Sequence, residues 1–477
     1  MPVLFDPEAF LEGLRNLLSP RDLLTAPEDT APFLTDWRHS ASGAALAVCL
    51  PRTTEAVASL LRHCADFGVA VTPQGGNTSL AAGSVPGNDR PHILLSLVRM
   101  NQIITLDRIG MTVTVEAGVI IDTLRTALTD IRRDLPISFA ASGSATVGGV
   151  LASNAGGANV LRAGMAGRRL LGLEVVLADG SIISRLEGLH KDNSGLNWMQ
   201  LFVGSEGTLG IITKAVLRTE PLALRHATAL LSVASPAAAL ELYALATDLI
   251  GERLSAFEII AAEAALRAHT RMSAPLPVAA AEGQWLLLIE ASSSGSGIEQ
   301  DFEALMAAAF EAGLCEDGTL ASSEAQRKAI WQLRESLTEA EAHSGKSVKH
   351  DISVPVVRVA EFLTRSTAVL EAVSRASGAR LDPHIFGHIG DGNLHFNILT
   401  DRPDAAPMLN QAVHDLVAAC GGSITAEHGV GSYRLSEAAR LLPEAQLDLQ
   451  RRLKLALDPE GILNPGKLIP GNPKSGV

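Results

Sequence analysis

Pro73-Gln74-Gly75-Gly76-Asn77-Thr78-Ser79 follows directly on a short strand-like run at 69–72. Adjacent glycines let backbone amides approach a ligand that a Cβ would hold away, and the Asn and Thr side chains add hydrogen-bonding groups. Upstream, 47–50 reads as a strand ending at Pro51. Residues 53–67 carry Ala56, Val57, Leu60, Leu61 and Cys64 at helical spacing. Downstream, 93–97, 102–106 and 112–117 are short and strand-like. The expectation is an α+β arrangement with a first domain over 1–218.

Three more glycine clusters lie in the same region. They are Val115-Glu116-Ala117-Gly118-Val119, the run 143–149 followed by Ala152-Ser153-Asn154-Ala155-Gly156-Gly157, and Gly204-Ser205-Glu206-Gly207-Thr208-Leu209-Gly210. None is the GxGxxG of a Rossmann helix or a P-loop ending in GK(S/T), which disfavours nicotinamide and nucleoside triphosphates. One such cluster is most simply a tight turn. Four of them, each beside a strand, point to a large ligand held by backbone.

In this order the clusters resemble the FAD-binding domain of the vanillyl-alcohol-oxidase type flavoproteins. The similarity is to the branch that holds the D-lactate, glycolate and D-2-hydroxyglutarate dehydrogenases, and it runs over 36–467. It implies a two-lobed FAD-binding domain, an antiparallel-sheet substrate cap over 219–419, and a small C-terminal helical segment over 420–477 that completes the active site. It implies a non-covalent FAD whose pyrophosphate rests on the first loop. The contacts carried over begin with Pro73, Gly75, Gly76, Asn77 and Thr78, with Gly83 and Ser84 behind them. From the second cluster come Gly143, Gly148, Gly149, Ser153, Asn154, Gly156 and Gly157. Glu206, Gly207 and Ile211 follow, and Asn464 comes from the Pro/Gly-rich tail. Ser79 and Ala82 stand where the family often has glycine.

The segment Gly387-His388-Ile389-Gly390-Asp391-Gly392-Asn393-Leu394-His395-Phe396-Asn397 has hairpin-turn chemistry over 390–393. That loop would set His388 opposite His395, with Asn397 on the same face. Two imidazoles and the carboxylate of Glu427, in Ala426-Glu427-His428-Gly429-Val430-Gly431, would suit a catalytic zinc, with manganese or iron also fitting. On spacing alone, a metal site and a coincidental pair of histidines are equally good readings. The resemblance implies His388, His395 and Glu427 as metal ligands, Asn397 as a substrate contact, and His428 as the general base, itself touching substrate. A metal there would lower the pKa of a substrate hydroxyl, a histidine would take its proton, and the flavin would accept hydride.

Arg334 and Thr338 are four apart on a helical stretch, and Lys349 follows on a strand-like piece. Taken alone, this favours a solvated helix face with Arg334 paired to a nearby acid. The resemblance implies instead that Arg334, Thr338 and Lys349 read a second carboxylate, as in the D-2-hydroxyglutarate branch. D-malate, D-lactate and glycolate remain alternatives, and a non-catalytic flavoprotein subunit would not need the His/His/Glu/His set.

Composition bounds the rest. With 477 residues, 47% of them hydrophobic and 19% charged, the chain is long enough for two or three domains. A formal net charge of −13 disfavours nucleic acid and anionic membranes as partners. Cys49, Cys64, Cys315 and Cys420 form no clip, so disulfides are not expected. Residues 1–6 lack a secretory pattern, 7–24 read as a surface helix, and no run is apolar enough to span a membrane. The expected location is cytoplasmic. The expected electron acceptor is an electron-transfer flavoprotein or a quinone, and a homodimer is left open.

Overall fold

The computed structural model describes residues 5–471. The expectation about 1–6 lies largely outside them, as does the end of the tail. The chain divides into two units. The first comprises Met1–Gly157, Met165–Pro221 and Glu427–Val477, and the second Ala158–Gly164 and Leu222–Ala426.

In the first unit, four strands run in the order Leu23–Leu24, Ala47–Cys49, His92–Ser96, Ala70–Gln74. The last three pair in parallel and are buried almost throughout, as strands covered on both faces must be. The helix Thr54–Phe67 starts where the Thr53 hydroxyl accepts from the Ala56 N–H at 3.1 Å and stops at Gly68, whose φ is 65°. It buries Val57, Leu60, Leu61 and Cys64, at about 1.5–3 kcal/mol for each large apolar side chain. The helix expected over 7–24 is shorter, Pro7–Leu17, and Leu23–Leu24 becomes an edge strand instead. Pro20, which has no N–H to give, explains the stop. A second, antiparallel sheet follows the order Ile103–Asp107, Thr112–Glu116, Ile211–Arg218, Leu170–Val176, Ile182–Arg185. The C-terminal tail returns beside Ala70–Gln74. The Val71 N–H donates to the Ile462 carbonyl and the Asn464 N–H to the Val71 carbonyl, both at 2.8 Å, which brings Asn464 to the edge of the first glycine loop.

The second unit is one antiparallel sheet built from two similar halves. Arg225–Val233, helix Pro236–Ile250, Leu254–Ala261, Trp285–Ser293, helix Ile298–Glu311 and Asp317–Leu320 form a β-α-β-β-α-β unit. Its spatial order is fourth, first, third, second, a ferredoxin-like arrangement. The chain then repeats the pattern with Asp351–Ser353, helix Val359–Ser377, Leu381–His388, Asn393–Thr400 and helix Ala406–Ala419, and Ser423 bridges back to Ser353. The second strand of each half meets at a seam, where Ile259 pairs with Gly387 and Ile260 with Phe386. One apolar cluster spans both halves. The two halves share a pattern but no fixed period, because the helices Ala262–Met272 and Glu324–Ala342 interrupt it.

Candidate active-site residues of the two units

In the first unit the glycine loops pack backbone against backbone. A Cβ on Gly75 would lie 2.2 Å from Thr146 Oγ1, and one on Gly76 1.8 Å from the Ser144 carbonyl. Four residues carried over as cofactor contacts hold left-handed backbone without being glycine: Asn77, Asn154, Glu206 and Asn464, with φ of 53°, 48°, 50° and 42°. Such conformations cost energy and collect at functional sites. Several of their side chains are spent on shaping the loops. Asn77 Nδ2 donates to the Thr35 carbonyl at 2.9 Å, and its Oδ1 accepts from the Ser84 hydroxyl at 3.0 Å. The Ser153 hydroxyl donates to the Gly149 carbonyl, and Asn154 Oδ1 accepts from the Gly167 N–H, both at 2.9 Å. Ser79 turns its departure from glycine to use: its hydroxyl accepts from the N–H groups of Ala81 and Gly83. Asn464 Nδ2 ties Gly83 to Glu206 through their carbonyls, at 2.9 and 2.7 Å.

Glu206 holds the segment that follows Glu427 and His428. Its two oxygens accept from the N–H groups of Val430 and Gly431 at 2.7 and 2.8 Å. Gly431 is required there, since a Cβ would lie 1.9 Å from the Ala81 carbonyl. Burial pushes the Glu206 carboxyl up, and the two N–H groups, Lys467 and Arg434 only partly offset this.

In the second unit the hairpin turns over 389–392 rather than 390–393. Asp391 and Gly392 both donate backbone N–H to the His388 carbonyl, and Gly392 takes φ 82°. Asn393 is drawn into the strand by Nδ2 bonds to Asp351 Oδ1 and the Ile352 carbonyl. His388 therefore pairs with Asn393, and His395 with Phe386. The shift is two residues, so the side chains keep their face. The His388 and His395 rings lie diagonal to one another, centroids 5.8 Å apart. Asn397 shares that face of its strand.

Arg334 and Lys349 are each balanced by a glutamate with no exposed side-chain surface. Glu258 takes the Arg334 Nε at 2.6 Å on one oxygen and His388 Nδ1 on the other. The Arg334 guanidinium also stacks over Phe386, 4.7 Å from its centroid. Glu341 takes Lys349 at 3.4 Å, the Ser347 hydroxyl, and Asn397 Nδ2 at 2.7 Å, while Asn397 Oδ1 accepts the His350 N–H. Thr338 is exposed on the same helix as Arg334. A carboxylate only accepts, so a neutral His388 carries its proton on Nδ1, and Nε2 is then its lone-pair nitrogen.

Neither glutamate was singled out as a functional residue by sequence reasoning. A signal existed for both. Glu258 is the one charge in a strand buried at all eight positions, and Glu341 continues the buried stripe Ile330, Leu333, Leu337 on its helix. A charge in such a place must be paired. Thr146 was passed over in the same way.

Residues 224–468 match the family described as FAD linked oxidases, C-terminal domain, and residues 45–185 match the FAD binding domain. The mitochondrial D-2-hydroxyglutarate dehydrogenase of Bos taurus is 36% identical over 458 residues, 94% of this chain and 82% of that protein. The chain belongs to the FAD-linked oxidase family. This FAD-linked oxidase is an FAD-dependent hydroxy acid dehydrogenase. The mitochondrial D-2-hydroxyglutarate dehydrogenase of Danio rerio is 35% identical over 460 residues, 95% of this chain and 84% of that protein. Substrate-bound p-cresol methylhydroxylase, at 17% identity, a TM-score of 0.71 and coverage of 97% and 96%, has the same vanillyl-alcohol-oxidase type fold. The loops of the first unit fit the cofactor. Thr146 Oγ1 and Asn464 Oδ1 are buried there without a hydrogen-bond partner among the described residues, and a dinucleotide has polar groups to meet them.

The expected cytoplasmic location is overturned, because both relatives are named mitochondrial. That expectation rested on absent signals. No helix among the described residues is long and apolar enough to cross a membrane, and this says nothing about compartment.

Proposed function

We propose that this FAD-linked oxidase converts D-2-hydroxyglutarate to 2-oxoglutarate and passes the electrons to an electron-transfer flavoprotein or another non-oxygen acceptor. The observation that carries the substrate reading is the pair of cations, Arg334 and Lys349, each beside a buried glutamate: Glu258 in the sheet that bears His388 and His395, and Glu341 on the helix Glu324–Ala342. Among the described residues, Arg334 uses only Nε in hydrogen bonding, so its terminal nitrogens are available to a carboxylate. Thr338 and Lys349 complete the reader of the distal carboxylate, and Asn397 contacts the substrate.

His388, His395 and Glu427 would hold a divalent ion, zinc in the first instance. The donor set fits, with two imidazoles on one face and a carboxylate from the residue after Ala426, whose N–H is bonded to the Asp351 carbonyl. Such an ion would lower the pKa of the substrate hydroxyl. The flavin, when bound, accepts the hydride. His428 takes the hydroxyl proton, and Arg334 and Lys349 fix the far end so that the α-hydrogen has one orientation. On this reading 1–218 bind FAD, 219–419 cap the substrate and 420–477 complete the site. D-malate is the second reading, because a shorter dicarboxylate meets the same cations.

The test is anaerobic bleaching of the flavin by D-2-hydroxyglutarate, D-malate, D-lactate and their L-enantiomers, before and after EDTA. Fast bleaching by D-2-hydroxyglutarate, lost with EDTA and restored by zinc, is expected. A preference for D-malate moves the substrate and keeps the mechanism. Bleaching by D-lactate alone sinks the distal-carboxylate assignment.

A further inference from the structure

Glu258 stands directly across the seam from His388, one step beyond the Ile259–Gly387 pair. The seam therefore brings a carboxylate from one half of the sheet to a histidine from the other, 130 residues away in sequence. With no exposed side-chain surface, Glu258 has no water to solvate its charge, and its two oxygens are divided between two partners. One oxygen takes His388 Nδ1 and the other Arg334 Nε.

We propose that Glu258 is the positioning residue that couples metal ligation to substrate recognition. Through one oxygen it fixes the His388 tautomer and ring so that Nε2 is the donor. Through the other it anchors Arg334 at Nε, which leaves the terminal nitrogens of the guanidinium without a hydrogen bond among the described residues, as a fork for a substrate carboxylate. One rigid carboxylate thus sets the distance between the group that orients the reacting end and the group that reads the far end. This rests on the ligand role of His388 and the reader role of Arg334 proposed above. Carboxylates that hold a ligating histidine typically change metal affinity about 10–100-fold when removed.

The deciding variant is Glu258→Gln. It keeps the volume but offers one acceptor to two donors. Zinc affinity is measured by competition with a chromophoric chelator on EDTA-stripped flavoprotein, alongside flavin content, the thermal unfolding midpoint and KM for D-2-hydroxyglutarate. His388→Ala is run in parallel. The expected result is zinc binding about 10–100-fold weaker and a raised KM, with flavin content unchanged. Zinc affinity within twofold of the parent, while His388→Ala loses it, overturns the proposal. So does a drop in the midpoint with affinity and KM intact, since that is a purely structural ion triad. If His388→Ala itself binds zinc normally, the ligand assignment fails and the proposal falls with it, a result distinct from the first. Should Glu258→Gln not fold, Glu258→Asp carries the same test, because its carboxylate is one methylene too short to reach both partners.

Discussion

Glu206 is half-buried and Glu258 fully buried, one in each unit, and they are held in opposite ways. Glu258 meets a guanidinium and an imidazole. Burial pushes its carboxyl up, but the His388 and Arg334 charges more than reverse this and leave the pKa at about 2. Glu206 meets two backbone N–H groups, and there burial wins and the carboxyl is pushed up. Two amide hydrogen bonds, even with the charges of Lys467 and Arg434 added, do not offset burial at Glu206, whereas two directly bonded charged groups do at Glu258. One unit uses a carboxylate to hold backbone, the other to aim side chains.

The largest effect that tests this division is on His428, which opens the segment that Glu206 holds. His428→Ala should lower kcat by about 10²–10⁴-fold, the usual worth of a general base, with flavin content unchanged. Steady-state rates and the flavin absorbance of the purified variant check it. Turnover near the parent rate would remove His428 from the base role and leave Glu206 clamping a segment without catalytic purpose.

Next in size is Lys349, which leans on Glu341 rather than Glu258. Losing one charged hydrogen bond to substrate costs about 1.5–3 kcal/mol, so Lys349→Ala should raise KM for D-2-hydroxyglutarate roughly 10–100-fold. KM for D-lactate, which has no second carboxylate, should change little. Equal effects on both substrates would mean that Lys349 supports the sheet through Glu341 and reads nothing.

The glycine turns of the first unit were legible because their chemistry is local. Gly75, Gly76 and Asn77 are consecutive, and the turn that needs them is made by those same residues. The facing histidines were half legible. Alternation along a strand put His388 and His395 on one face correctly, but the register depended on Asn393 bonding to Asp351, 42 residues upstream. Glu258 was not legible, because its meaning comes from a partner 130 residues on. The duplicated sheet leaves no fixed period in the sequence, since the helix Glu324–Ala342 and its loops separate the halves. The location failed for a different reason: compartment is not a physical consequence of the folded core.

A smaller, pH-dependent effect separates the two glutamates by sign. The folded carboxyl of Glu206 titrates above its unfolded value, so the native state keeps a proton that the unfolded chain has released. Its contribution to stability therefore falls as pH rises from about 4.5 through the folded pKa. Glu258 has the reverse sign, with stability present above about 4.5 and lost as pH falls through about 2. Glu206→Gln should flatten the decline of the unfolding midpoint between mildly acidic and neutral pH. Identical slopes in the two proteins would mean that Glu206 is not strained by burial.

The smallest expected effect concerns Ala82, in the loop that Glu206 and Asn464 close. It is buried, and its φ is 54°, a left-handed conformation at a position where the family often has glycine. An L-residue there costs about 1–2 kcal/mol, and glycine costs nothing sterically but loses about 0.4–1 kcal/mol more chain entropy on folding. Ala82→Gly should therefore stabilise the first unit by about 0.5–1 kcal/mol, a rise of a few degrees in its unfolding midpoint. If the variant is instead destabilised, the Ala82 methyl contributes more by packing than the backbone strain costs. The departure from glycine at this position would then be a stabilising one, and the loop would owe its shape to side-chain packing as well as to the carboxylate that holds the returning segment.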